Sequence, residues 1–153
     1  MPISTGYLRH VLDPALLQSA ISDFQRRVSE AGVDYDAIVV RGNSGTIFGG
    51  ALSISTGKPV ILVRKPNDNS HSGLTVEGYK NELDRYIFVD DIIASGGTFR
   101  ASIQAVVKEK HLAKCVGIYL YQDRNYWFKN YKHSTMGTHS DGNIQSILRE
   151  CEI

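Results

Sequence analysis

Residues 86–98 read YIFVDDIIASGGT, and the fold is decided here. Tyr86 to Val89 are apolar or aromatic and read as a buried strand. Asp90 and Asp91 follow, then two apolar residues and a small flexible turn, Ala94-Ser95-Gly96-Gly97-Thr98. After it Phe99, Ile103, Val106 and Val107 fall at helical spacing, which predicts a helix to about Lys110. The order is strand, acidic pair, glycine turn, helix. A glycine turn that opens a helix offers backbone N–H groups and a positive dipole end, which suits a phosphate. Adjacent carboxylates would repel that phosphate unless they hold a sugar's hydroxyls or a magnesium ion. The ligand implied by the whole stretch carries phosphate, ribose and metal together.

Outward from this stretch the same alternation recurs. Ala37 to Val40, Val60 to Val63 and Val116 to Tyr121 read as further strands. Asp13-Pro14 predicts a helix start, with Leu17, Ile21, Phe24 and Val28 as its apolar face and Gly32 as its end. The first strand gives way to an expected turn over Arg41 to Gly45, and a helix of small residues is expected over Thr46 to Thr56. Residues 65–80 are polar and aperiodic and read as a long loop, the kind that is usually functional or disordered. Gln122 to Lys132 is polar but carries Tyr126, Trp127 and Phe128 in succession. A loop from Met136 to Gly142 and a short helix from Asn143 to Ile153 complete the chain.

Strands alternating with helices imply an α/β fold with an open, doubly wound, mostly parallel sheet. A single domain over 1–153 is expected, with its core at about 36–121 and a small hood from either terminal segment. The polar groups cluster directly after strands: Arg41, Gly42, Asn43 and Ser44; Arg64 and Lys65; Asp90 and Asp91; Gln122, Asp123 and Arg124. In an open α/β sheet the ligand lies outside the carboxyl ends of the strands, near a topological switch point, so one crevice can collect all four groups.

Composition narrows the classes. Formal net charge is +1, which gives no broad surface for nucleic acid or membrane. Apolar runs are too short to span a bilayer, and MPISTGYLRH lacks the apolar core of a signal peptide. Cys115 and Cys151 have no metal-ligand spacing and read as reduced thiols, so a cytoplasmic protein is expected. The five histidines also lack ligand spacing, and His133 and His139 read as loop residues.

The turn at 94–98 is not a Walker loop, because no lysine precedes Thr98, and no GxGxxG occurs. VDDIIASGGT resembles the phosphoribosyl-diphosphate (PRPP) motif of type I phosphoribosyltransferases. The resemblance covers roughly half the chain. It implies that Asp90 and Asp91 hold the ribose 2- and 3-hydroxyls with Mg2+ nearby. It implies that Ala94, Ser95, Gly96, Gly97 and Thr98 bind the 5-phosphate. Arg41, Gly42, Asn43 and Ser44 stand where the family has its diphosphate loop, often with a non-proline cis peptide, here expected at or just before Arg41-Gly42. Arg64 and Lys65 look like the Arg-Lys pair of adenine phosphoribosyltransferases and suit a departing diphosphate. The loop at 65–80 matches the family's catalytic lid, with His71, Tyr79 and Lys80 as its candidate contacts, in the same or a neighbouring subunit of a homodimer.

Gln122, Asp123 and Trp127 are candidates for the base, Trp127 by stacking, although the three aromatics equally suit packing against the sheet. Ala94 stands where hypoxanthine-guanine enzymes usually have an aspartate, so the adenine pattern is nearer, with orotate, xanthine and less common bases left open. The expected activity is Mg-dependent transfer of a nucleobase to PRPP with release of diphosphate, in nucleotide salvage or synthesis. The rival is a non-catalytic PRPP or nucleotide sensor on the same fold.

Overall fold

The computed structural model describes residues 2–68, 71–79, 83–132 and 141–153. The chain begins with a 3-10 turn at Gly6–Leu8 and a short helix α1 at Arg9–Leu12. Helix α2, Pro14–Ala31, starts where Asp13 Oδ1 accepts from the N–H groups of Ala15 (2.9 Å) and Leu16 (3.2 Å), and it ends at Gly32. Strand β1 is Ala37–Arg41, helix α3 Gly42–Thr56, strand β2 Val60–Val63 and strand β3 Val76–Gly78. Strand β4, Arg85–Asp90, leads through the glycine turn into helix α4, Gly97–Glu109. Strands β5 (Lys114–Leu120), β6 (Asn125–Phe128) and β7 (Tyr131–Lys132) and helix α5 (Asp141–Glu150) follow.

The seven strands form one sheet in the order β3-β2-β1-β4-β5-β6-β7. Its centre, β2-β1-β4-β5, is parallel, while β3, β6 and β7 pair antiparallel at the flanks. Period-two alternation along the strands divides the core into two clusters. Ile38, Val40, Ile87, Val89, Tyr119 and Tyr121 pack with Phe24 of α2 and Phe48 and Leu52 of α3. Ala37, Val39, Tyr86, Phe88, Ile118 and Leu120 pack with Phe99 and Val106 of α4 and Ile147 of α5. Helices therefore cover both faces, as in a doubly wound sheet.

Three sequence expectations change. The 65–80 segment is not structureless: Val76 to Gly78 zip onto β2, with Val63 opposite Val76 and Ile61 opposite Gly78. The aromatic run is strand β6, all four residues buried, because aromatic side chains suit a pleated surface and β5 leaves an open edge for it. The expected turn at 41–45 is the first turn of α3, which begins four residues earlier than the periodicity suggests. The small polar residues there carry no apolar signal.

The site is positioned by the order of the strands. From β1 the chain crosses to β2 on one side and later returns as β4 on the other side of β1. That reversal leaves a crevice at the carboxyl ends of β1 and β4.

Candidate active site

A cavity of about 700 Å3 fills this crevice. Its walls bring together Arg41 to Ser44, Arg64, Lys65, Asp90, Asp91 and Ala94 to Thr98, which come from the ends of three neighbouring strands.

Two helix starts open into it. Arg41 ends β1 in extended conformation (φ −148°, ψ 137°), and Gly42 turns into α3 with φ +75°, a conformation that suits a residue without Cβ. Neither Arg41 nor any other side chain caps α3 from the N-cap position. No peptide bond among the described residues is cis, so the expected cis bond at Arg41-Gly42 is absent and the positive φ of Gly42 makes the bend. The α3 turn is braced from behind: Thr46 Oγ1 donates to Gly42 O (2.6 Å), and Tyr121 Oη donates to Ser44 O (3.3 Å). Lys65 lies beside it, with Nζ 3.6 Å from where a Cβ on Gly42 would stand. Arg41 Nε is buried without a hydrogen-bond partner. An uncapped helix start, an adjacent ammonium and an orphaned guanidinium N–H together form a receptor for a polyanion.

Helix α4 has Gly96, φ +84°, at its N-cap, which supplies no side chain to cap it. Ser95 Oγ accepts from the Gly97 N–H at 3.2 Å. An incoming phosphate oxygen can replace that hydroxyl as acceptor.

Between the two helix starts stand the carboxylates. Asp90 is only 6% exposed. Its Oδ1 accepts from Ser44 Oγ (3.1 Å) and from the Asp91 N–H (2.9 Å). Burial pushes its carboxyl up to about 7, the Asp91 charge adds to this, and the Asp91 N–H and the Ser44 hydroxyl oppose it. Asp91 Oδ1 accepts from the Ile92 N–H at 2.8 Å. The backbone of the pair is fixed by the turn after β5: Tyr121 N–H donates to Asp90 O (3.1 Å) and Gln122 N–H to Asp91 O (3.2 Å).

Arg64 lines the cavity, but its charge is already paired. Its guanidinium pairs with Asp68 (3.2 Å) and Glu77 (2.7 Å), which ties β2 to β3 and to the loop between them. Lys65 and Arg41 have no ion pair among the described residues. The two described lid candidates, His71 and Tyr79, do not line the cavity. Tyr79, 73% exposed, lines a separate groove with Ile61, Val76, Leu83 and Val106. His71 is an exposed turn residue and lines neither, and Lys80 lies outside the described residues, as do His133 and His139. Trp127 is 2% exposed in the core cluster under α4 and α5, so it cannot stack on a ligand in this crevice. Gln122 and Asp123 are exposed on the turn between β5 and β6 and do not line the cavity.

Among the cavity residues with polar side chains, sequence reading missed Tyr7, Thr46, Asn67 and Asp68. Tyr7, 65% exposed, comes from the N-terminal 3-10 turn and brings an aromatic ring to the crevice. Its segment has no periodicity, and a lone tyrosine far from the motif gives no signal by itself.

No family model matches the chain. Relatives and solved structures do, among them the following. The adenine phosphoribosyltransferase of Ureaplasma parvum is 31% identical over 123 residues, which span 71% of this chain and 69% of that protein. The orotate phosphoribosyltransferase of Pyrococcus abyssi is 26% identical over 114 residues, 74% of this chain but only 62% of the relative. The chain thus spans less than two thirds of the orotate relative's length. The crystal structure of adenine phosphoribosyltransferase from Saccharomyces cerevisiae, complexed with an imino-altritol bisphosphate and adenine, superposes with a TM-score of 0.57 and 30% identity, over 71% of this chain and 68% of that one. Taken with the parallel centre, the switch-point crevice and the strand–glycine turn–helix around Asp90, these likenesses show that the chain belongs to the type I phosphoribosyltransferase family.

Proposed function

We propose that this protein transfers the phosphoribosyl group of PRPP to a nucleobase and releases diphosphate. The observation that carries the reading is the arrangement in one crevice: two helix starts that can each receive an anion, with two carboxylates between them. PRPP has this pattern, with a diphosphate on C1, a monophosphate on C5 and two hydroxyls between.

In this reading Ser95 to Thr98 hold the 5-phosphate through the N-terminal N–H groups of α4 and the Ser95 and Thr98 hydroxyls. Asp90 and Asp91 accept from the ribose hydroxyls. The start of α3, Arg41 and Lys65 hold the diphosphate. Arg64 supports this end by anchoring β3 and the 64–77 segment, and its charge is already balanced by Asp68 and Glu77. A ring nitrogen of the base attacks C1 as the C1–O bond breaks, the electron pair leaves with the diphosphate, and the attacking nitrogen gives up its proton to solvent. The sugar is cationic in the transition state. Asp90 and Asp91 stabilise it, while Arg41 and Lys65 offset the charge that grows on the leaving group. Catalysis is positioning and electrostatics.

The donor set fits magnesium. Two carboxylates facing a polar cavity match an ion that keeps most of its waters and takes its other oxygens from substrate. Asp90 and Asp91 would hold it, and it would supply charge neutralisation for the diphosphate. Tyr7 provides a ring face for the base. The relatives' names divide between adenine and orotate, and both belong in the test. We place the protein in the cytoplasm, on its two free cysteine thiols. We also place the chain in a homodimer. The exposed Tyr79 beside an apolar groove suits an intersubunit contact and could serve a neighbour's cavity.

The test is diphosphate release from PRPP and Mg2+ with a panel of bases. Release with one base or a related group of bases supports the reading. PRPP binding with no release on any base would overturn it.

A further inference from the structure

Beneath the glycine turn lies a contact that neither the motif nor the relatives' names point to. Arg100, one turn into α4, folds back toward the start of its own helix. Its Nη1 donates to the backbone carbonyl of Ser95 at 3.1 Å. Its Nε donates to Glu150 Oε1 of α5 at 2.8 Å. Glu150 Oε1 also accepts from Ser146 Oγ at 3.3 Å. The guanidinium lies so close to the turn that a Cβ on Gly96 would stand 2.5 Å from Nη1 and 3.0 Å from Ile147 Cδ1. The C-terminal helix is thus joined to the phosphate turn through one arginine.

In a trans peptide the C=O and the following N–H point in opposite directions. The carbonyl of Ser95 is held toward Arg100 and α5. The N–H of Gly96, in the same peptide plane, is therefore turned the other way. Ser95 and Gly96 both line the cavity. With φ +84° at Gly96, this peptide could rotate at little cost if nothing restrained it.

We propose that Arg100, fixed by Glu150, is a positioning residue that orients the Ser95–Gly96 peptide so that its N–H faces the 5-phosphate. The inference rests on the proposed PRPP site. It also assigns α5 a role: the helix holds the arginine that preorganises the anion cradle. A charged hydrogen bond lost from the bound phosphate weakens binding about 10-fold, and Arg100→Met is expected to do so. Glu150→Gln keeps a hydrogen-bond acceptor but not the ion pair and is expected to weaken binding roughly 3-fold. Arg100→Lys can reach one of its two partners but not both, and it falls between wild type and Arg100→Met.

The experiment measures ribose 5-phosphate affinity by calorimetry for the full chain and these three variants, together with thermal stability and the 15N-labelled Gly96 amide resonance. In turnover assays the Arg100 variants raise KM for PRPP while kcat changes little. The expected result is graded loss of ribose 5-phosphate affinity with a shifted Gly96 amide. Variants that lose melting temperature yet bind ribose 5-phosphate as wild type does would overturn the positioning role while leaving the PRPP reading intact. Should Arg100→Met not fold, Glu150→Gln decides the matter on the same readouts. Wild-type protein that binds neither ribose 5-phosphate nor PRPP would overturn the site and the positioning role together.

Discussion

Asp90→Asn separates what the site does from what it costs the fold. The Asp90 carboxyl is 6% exposed and is pushed up to about 7, mainly by burial. In the unfolded chain it has the ordinary carboxylate value of about 3.9. The folded state thus holds the proton more tightly than the unfolded state. The sign follows directly. Below about pH 4 both states are protonated and the group exerts no penalty. As pH rises toward 7 the unfolded carboxylate ionises freely while the folded one does not, and stability is lost up to a total of about 4 kcal/mol. Asparagine does not titrate, and its side-chain oxygen can still accept from Ser44 Oγ and the Asp91 N–H, the two donors that Asp90 Oδ1 serves. The comparison of variant with parent cancels the titrating groups that do not interact with Asp90. Between pH 5 and pH 8 the stability gap should widen in favour of Asp90→Asn by roughly 2.5 kcal/mol. In melting temperature that is about 5–10 °C for a chain of this size. The assay is urea denaturation of both proteins across that range, in chelator so that no metal biases the carboxylate. At the same time the variant should lose PRPP binding. Stability curves that run parallel from pH 5 to pH 8 would refute the reasoning, because they would mean that the buried carboxyl titrates alike in both states.

Three further outcomes follow from the same geometry. Arg41→Met should leave thermal stability within about 0.5 kcal/mol of wild type, because Nε has no partner to lose, yet raise KM for PRPP by about 10-fold or more, checked by melting and steady-state kinetics. Trp127→Ala should destabilise the protein by about 3–5 kcal/mol, read by urea denaturation, while the folded fraction keeps its PRPP affinity, because this side chain is in the core and not in the crevice. Tyr7→Ala should weaken base binding several-fold and leave PRPP binding unchanged, measured by KM for the base against Kd for PRPP.

The sequence made the centre of the fold legible because each central strand is a short apolar run followed at once by turn or polar residues. Val39 and Phe88 are fully buried for that reason, and Asp90 falls at the strand end where the pattern breaks. Flanking strands were not legible. Val76 to Gly78 form β3 only because β2 offers them an edge, and Asn125 to Phe128 form β6 only because β5 does; neither dependence shows in a local window. Within the site, residues on the motif were readable one by one. What escaped was context supplied from a distance. Arg64 looks like a free cation in sequence, yet Glu77, thirteen residues on, claims it once β3 folds back. Tyr7 enters the crevice only through the packing of the N-terminal segment. Trp127 looked like a stacking platform because alternation in a four-residue strand, buried throughout, leaves no polar face to reveal it.

The central claim is that the crevice around Asp90 and Asp91 turns over PRPP. Diphosphate release, followed with PRPP, Mg2+ and either adenine or orotate, tests it most directly. Release is expected from the wild-type protein with a suitable base, and none above background when both aspartates are replaced by alanine in a variant that still folds. Release at the wild-type rate from that double variant, or no release by the wild-type protein with any base offered, would contradict it.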